Sequence, residues 1–247
     1  MTKNKVVCVI PARYSSTRLP GKPLALIGGK PMIEHTYTQV AKAKGVFKVI
    51  VATDDEIVKN TVEKIGGEAM LTSPDHATGS DRVCEVANCY EDLDIVINVQ
   101  GDEPFIQPEA VEELIKAFEA DPEIQMATLM TKIREDEINV TSTVKVITDL
   151  KGDAIYFSRS VIPNQFKESP IPIYKHLGIY AYRKEFLNIF TNLRKTPLEQ
   201  TESLEQLRAL EHGYKIRVLE TKTDSIGIDT PEDLELANRL YEQISSK

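Results

Sequence analysis

The sequence predicts an α/β fold: a doubly wound, mostly parallel sheet with helices on both faces and an inserted β-rich subdomain. Two observations carry this. Short, unbroken apolar runs such as Val6 to Ile10 and Ile95 to Val99 read as strands buried on both faces, and they alternate with segments whose apolar residues recur at helical spacing. After Asp121-Pro122 that rhythm gives way to closely spaced strand-like segments.

The elements follow in order. Val6 to Ile10 is the first strand, and apolar positions from Met32 to Ala43 make the first helix. Val46 to Ala52 is a second strand, and Asp55 to Ile65 a helix that Gly66-Gly67 ends. A short strand at Ala69 to Leu71 precedes a helix from Ser80 to Tyr90. The strand Ile95 to Val99 then leads to Pro108 to Ala120, a helix with proline in its first turn. This βαβα succession implies right-handed crossovers. Further strands are expected at Met126 to Lys132, Thr143 to Ile147, Ala154 to Phe157 and His176 to Tyr182, interrupted by the proline-bearing stretch Ile162 to Ile173. A helix over Glu202 to His212 should stop at Gly213, followed by a strand at Lys215 to Leu219 and a last helix at Pro231 to Gln243. The whole chain, 1–247, reads as one domain, with 123–197 an inserted β-rich portion that serves as a lid or dimer surface.

Composition narrows the function. Hydrophobic residues make up 41% and charged residues 28% of the 247, as in an ordered globular chain. Thirty basic against 38 acidic residues leave a net charge of −8, which argues against a nucleic-acid partner. Any phosphate it binds must be held by a local basic cluster. The three cysteines, Cys8, Cys84 and Cys89, form no CxxC pair; they read as small buried hydrophobes of a reducing compartment rather than a disulfide framework or zinc site. No apolar run approaches the ~20 residues of a membrane span, and the N-terminal apolar run is too short for a secretory signal. The expected location is cytoplasmic, and Asn139-Val140-Thr141 is then an accidental glycosylation sequon.

Three segments carry chemistry. Pro11 to Leu24 follows the first strand and precedes the first helix, where doubly wound sheets bind ligands beyond the carboxyl ends of their strands. It sets Arg13, Arg18 and Lys22 within ten residues, beside Gly21 and several hydroxyls. Backbone N–H groups, guanidinium forks and a lysine point charge are what a triphosphate requires. The segment matches neither GxxxxGK[ST] nor GxGxxG, so P-loop ATPase and dehydrogenase readings recede; the plain alternative is a solvated basic loop. Asn98 to Pro104 places Asp102 just after a buried strand, a common way to hold Mg²⁺ against phosphates. Gly227 to Leu234 offers Asp229, although Asp-Thr-Pro followed by acidic residues is also a good helix N-terminus. Two aspartates suffice for Mg²⁺, which takes one or two carboxylates plus phosphate oxygens.

Together these segments resemble the 3-deoxy-manno-octulosonate cytidylyltransferases, the CMP-Kdo synthetases. The matching blocks are Ile10 to Leu24, Val51 to Glu56, Ser73 to Arg82, Asn98 to Pro104, Tyr156 to Pro163, His176 to Tyr182, Leu198 to Arg208 and Gly227 to Leu234, in order over nearly the whole chain. The resemblance implies a nucleotide-diphospho-sugar-transferase-like fold, a homodimer, and CTP and an acidic octulosonate sugar as substrates. Its product would enter lipopolysaccharide assembly. It implies Arg13, Ser15, Lys22, Ser80 and Arg82 at the nucleotide, with the Ser73 to Arg82 segment near base and ribose. Asp102 and Asp229 would hold Mg²⁺, and Lys22, Asp102 and Asp229 would be catalytic. Gln100, Arg159, His176, Tyr180, Glu205 and Gln206 would line the sugar pocket; Arg159 suits a carboxylate, and the Gln, His and Tyr side chains suit hydroxyls. Without the resemblance, His176 reads as a satisfied strand histidine, and Glu205 and Gln206 as a solvated helix face. Two departures are local. Thr78-Gly79-Ser80-Asp81-Arg82 stands where the family usually has Ser-Gly-Thr-Asp-Arg, and Thr141-Ser142-Thr143 replaces an Asn-Pro-Asn-like lead. The rival readings are the same reaction on 8-amino-Kdo or sialic acid, and a non-catalytic nucleotide-binding regulator, which would have no need of two metal carboxylates.

Overall fold

The computed structural model describes residues 5–15, 18–166 and 171–245. Ser16 and Thr17 of the basic loop, and Lys167 to Pro170 of the proline-bearing stretch, lie outside the described residues. The chain forms two compact units, 1–112 with 225–247, and 113–224. The β-rich region expected at 123–197 falls within the second.

In the first unit, β1 (Val6–Ala12) leads through a loop and the short strands β2 (Leu26–Ile27) and β3 (Lys30–Pro31) into α1 (Met32–Val40). Then come β4 (Lys48–Thr53), α2 (Glu56–Lys64), β5 (Glu68–Leu71), α3 (Gly79–Asn88) and β6 (Ile95–Asn98), and α4 (Pro108–Ala120) carries the chain from the first unit into the second. The sheet order is β6-β1-β4-β5, and every pair is parallel. Val6 to Ile10 are at most 1% exposed, as their unbroken apolar run requires. Strand order reverses at β1: the chain steps outward to β4 and β5, then returns to β6 on the other side. Right-handed crossovers then put α1 and α2 on one face and α3 on the other, and the crevice at this reversal is where such sheets bind ligands.

The second unit holds β7 (Met126–Lys132), β8 (Lys145–Thr148), β9 (Ala154–Ser158), β10 (Tyr174–Arg183), α5 (Lys184–Asn192), α6 (Pro197–Glu202), α7 (Leu207–Glu211) and β11 (Arg217–Glu220). Here β7 pairs parallel with β11 and antiparallel with β10, while β8 joins β10 and β9. The last helix, α8 (Pro231–Ser245), returns to the first unit.

Most element bounds lie within three residues of those expected; α5 and the short pair β2-β3 have no counterpart among the expected elements, and one expected helix differs more. The helix expected over Glu202 to His212 is reduced to α7, because a separate helix that was not expected, α6, ends at its first residue. Ser203 breaks the segment with a left-handed backbone (φ 52°), and α7 starts only at Leu207. Arg159 accounts for the break: its guanidinium donates to the main-chain oxygens of Glu202 (2.7 Å) and Ser203 (3.4 Å), taking over the carbonyls that end α6. Cys8 and Cys84 are buried and none of the three cysteines is in a disulfide, but Cys89 is exposed, contrary to its reading as a buried hydrophobe. Among the described residues no helix is long and apolar enough to cross a membrane.

Candidate active site

Beyond the carboxyl ends of β1 and β6 lies a cavity of about 420 Å³, lined by Arg13, Ser15, Arg18, Lys22, Gln100, Asp102 and Asp229 among others. Three local structures aim these side chains. Gly21 adopts the left-handed conformation (φ 67°) that lets the chain turn into a single 3₁₀ turn, Lys22 to Leu24, with Pro23 buried behind it. That turn fixes the Lys22 backbone at the cavity edge. Gly101 permits close approach of the two strand ends, since a Cβ there would sit 2.9 Å from the carbonyl oxygen of Pro11. Asp102 follows immediately, and its main-chain oxygen accepts from Ile228 N (3.0 Å), which brings the residue before Asp229 alongside. An apolar cluster of Ile27, Met32, Ile228 and Ala237, with Leu19 and Leu234 against it, packs the basic loop and the start of α8 together.

The competing role for Asp229, capping α8, is filled by others. Thr230 Oγ1 accepts from Asp233 N (3.2 Å), and the Asp233 carboxylate accepts from the N–H groups of Thr230 (2.9 Å) and Asp229 (3.0 Å). The Asp229 carboxylate is left to face the cavity. Lys22 Nζ donates to it at 2.8 Å and also to Asp102 Oδ2, while Arg18 Nη2 lies 3.0 Å from the same Asp229 oxygen. Burial raises the Asp229 carboxyl, but Lys22 and Arg18 outweigh it and hold the group below the ordinary carboxylate range. Two carboxylates thus converge on one cation. Among the described residues no group of three or more His, Cys, Asp or Glu side chains is placed to hold a metal ion. An ion here would therefore have these two hard oxygen donors, the set Mg²⁺ uses together with phosphate.

The remaining nucleotide candidates divide. Arg13 lines the cavity and donates to the main-chain oxygen of His76 (2.6 Å), tying the Ser73 to Arg82 segment to the basic loop. Glu85 holds that segment from beneath, accepting from Ser73 N (3.0 Å) and bonding the His76 ring. Ser80 and Arg82 do not line the cavity. Both are buried in α3, where Arg82 pairs with Asp54 (2.9 Å) and donates to Thr72. Asp54 in turn accepts from Tyr14 N (3.4 Å), so Arg82 acts on the loop through Asp54. Asp54 is the contact not assigned from sequence, while Arg18, already read among the cations of the basic loop, also reaches Asp229. The tandem Asp54-Asp55 after a buried strand was the available signal, with Asp55 capping α2 and Asp54 left over.

Five sugar candidates belong to the second unit. Arg159 leaves the end of β9, and its guanidinium also donates to Thr141 O (3.2 Å), so among the described residues its hydrogen bonds go to neutral carbonyls. Glu202 braces it, accepting from Arg159 N (3.0 Å) and Ser158 Oγ (2.7 Å). Nothing in the sequence marked Glu202. On β10, His176 stacks edge-on against Phe157 and sits 5.3 Å from the Tyr180 ring. Glu205 lies 3.6 Å from Arg208, and Gln206 is buried at the start of α7.

Burial pushes the His176 imidazole down to about 3, with Nε2 bonded to Thr128 Oγ1 (2.9 Å). The ring therefore stays neutral in the fold while the unfolded chain takes up a proton below the ordinary value of 6.5. Stability from this group is full above that value and is lost as pH falls toward 3. Between pH 7 and 5 the loss should reach about 2 kcal/mol at most. His176→Gln should flatten the urea-unfolding free energy over that interval, and an unchanged slope would refute the assignment.

The sequence profile of the family described as "Cytidylyltransferase" matches residues 7–216. A 3-deoxy-manno-octulosonate cytidylyltransferase of Syntrophus aciditrophicus is 50% identical over 234 residues, covering 93% of this chain and 94% of its own. The enzyme of the same name from Geobacter metallireducens is 49% identical over 243 residues, covering 94% and 95%. The chain belongs to the 3-deoxy-manno-octulosonate cytidylyltransferase family. A solved structure of CMP:2-keto-3-deoxy-manno-octonic acid synthetase complexed with CTP superposes with a TM-score of 0.93 at 46% identity, over 98% of this chain and 100% of that one. The family also brings a close variant: an 8-amino-3,8-dideoxy-manno-octulosonate cytidylyltransferase of Shewanella halifaxensis is 49% identical over 235 residues, covering 94% of this chain and 96% of its own.

Proposed function

We propose that this chain transfers the cytidylyl group of CTP to the anomeric 2-hydroxyl of Kdo, forming CMP-Kdo and pyrophosphate for lipopolysaccharide assembly. The observation that carries this is the meeting of Lys22, Asp102 and Asp229 in one cavity beside Arg13. The sugar oxygen bonds to the α-phosphorus as the bond from phosphorus to pyrophosphate breaks in line. Pyrophosphate leaves with the bonding pair and the hydroxyl proton passes to water. Lys22 and Arg13 bind and orient the phosphates and offset the charge that develops on them. Asp102 and Asp229 would hold Mg²⁺, which when bound supplies further charge neutralisation at the phosphates. Ser15 and Gln100 line the same cavity, Arg82 reaches the loop through Asp54, and Ser80 is assigned to the nucleotide with them. Arg159, His176, Tyr180, Glu205 and Gln206 are assigned to the sugar, and 123–197 to a lid and dimer surface of a cytoplasmic homodimer. The exposed apolar side chains of Phe166 and Ile171 support the dimer surface.

The test is pyrophosphate release from CTP with Kdo, 8-amino-Kdo and sialic acid offered in turn, on wild type and Arg159→Ala. Kdo should be the best substrate; turnover confined to the amino sugar would move the reading to the Shewanella enzyme's substrate. Loss of a desolvated charged pair costs roughly 2–5 kcal/mol. Arg159→Ala should therefore raise KM for the sugar more than about tenfold while KM for CTP changes little. Equal damage to both constants would mean that Arg159 holds the phosphates or the fold.

A further inference from the structure

Lys22 Nζ bonds both Asp102 and Asp229, and only 15% of its side chain is exposed. Arg18 lies against the same Asp229 oxygen. Two carboxylates therefore face two cations, and the cluster is neutral. A divalent ion entering it must displace an ammonium already seated between the carboxylates. It would also add positive charge at contact distance in a partly buried site, where like charges repel strongly. Lys22 has little freedom to withdraw by main-chain movement, because Gly21, the 3₁₀ turn and buried Pro23 fix its backbone. A triphosphate in the same cavity changes this balance by offering the ammonium and the guanidinium another anionic partner.

We propose that Lys22 is the resident counter-cation of the Asp102–Asp229 pair, so that the pair takes a divalent ion only once a nucleotide's phosphates draw Lys22 away. This rests on reading that pair as the metal site. Lys22 then has a positioning role before its catalytic one: it keeps two mutually repelling carboxylates converged until the ion arrives. It also couples the two ligands, and the coupling is reciprocal, each raising the affinity for the other.

The experiment uses Mn²⁺, which shares the hard-oxygen preference of Mg²⁺, with free ion read by electron paramagnetic resonance and no nucleotide present. Lys22→Met and Lys22→Gln should each bind Mn²⁺ at least tenfold more tightly than wild type, and adding Asp102→Asn should remove the gain. No gain, while Mn²⁺ binding in the presence of CTP still depends on Asp102, sinks the lysine's role and leaves the metal site standing. A gain that survives Asp102→Asn places the ion elsewhere and overturns the metal reading as well. Should the lysine variants not fold, wild type and Asp102→Asn decide. If nucleotide-free wild type binds Mn²⁺ through Asp102 as tightly as it does with CTP, after correction for ion held by free CTP, the proposal is overturned.

Discussion

Asp102→Asn is expected to lower kcat by at least about a hundredfold with the fold intact, the scale of losing one charge-stabilising group from a preorganised site. The fold should survive because the tertiary link at this residue is made by its backbone, whose oxygen accepts from Ile228 N. Asparagine keeps the side-chain shape and removes only the charge that offsets Lys22. Asp229→Asn should match it in severity, since Thr230 and Asp233 cap α8 without it. Thr230→Ala is the control, and should cost about 1 kcal/mol of stability from the lost cap with a much smaller effect on turnover. The measurements are pyrophosphate release at saturating CTP and Mg²⁺, circular dichroism and thermal unfolding. Near-normal turnover in either aspartate variant would remove it from the reaction, and a collapsed fold would make its role structural.

The second large effect is expected at Lys22. Lys22→Ala should both raise KM for CTP and lower kcat, together reducing kcat/KM by about a hundredfold or more, because the ammonium serves the phosphates in the ground state and in the transition state. Lys22→Arg should restore only part of the loss. A planar fork cannot occupy the compact position that Nζ holds between two carboxylates. Steady-state kinetics with CTP and sugar varied in turn will separate the two constants, and full activity in Lys22→Ala would sink the assignment of the basic loop.

These expectations join residues 80 and 207 positions apart in the chain, and the sequence reaches them only in part. Three kinds of feature are local and were legible. The strand at Val6 to Ile10 is apolar without a break because both its faces are covered. Several helices start where Asp55 and proline residues make good N-termini. The basic loop is recognisable because three cations within ten residues stand out against a net charge of −8. The order of these features predicts a doubly wound sheet and a site past the carboxyl ends of its strands.

What the tertiary structure decided is which partner each polar group takes, because that depends on segments distant in sequence. Asp229 and Asp233 are both acidic residues at a helix start, and only the observed bonds show that Asp233 serves the helix and Asp229 the cavity. Arg82 sits in a block that reads as nucleotide-binding, yet Asp54 and Thr72 hold it inside, where an unpaired cation could not stay. Ser203 interrupts a segment whose apolar spacing at Leu204 and Leu207 is helical, and no glycine or proline announces it. The interruption belongs to Arg159, whose guanidinium arrives from more than forty residues away and takes the carbonyls that the next helical turn would have used. Hydrophobic periodicity and capping are properties of a few neighbouring residues and can be read from the chain. The pairing of buried charges is set by the whole fold, because burial makes each charge need a partner and only the packing says which one is within reach.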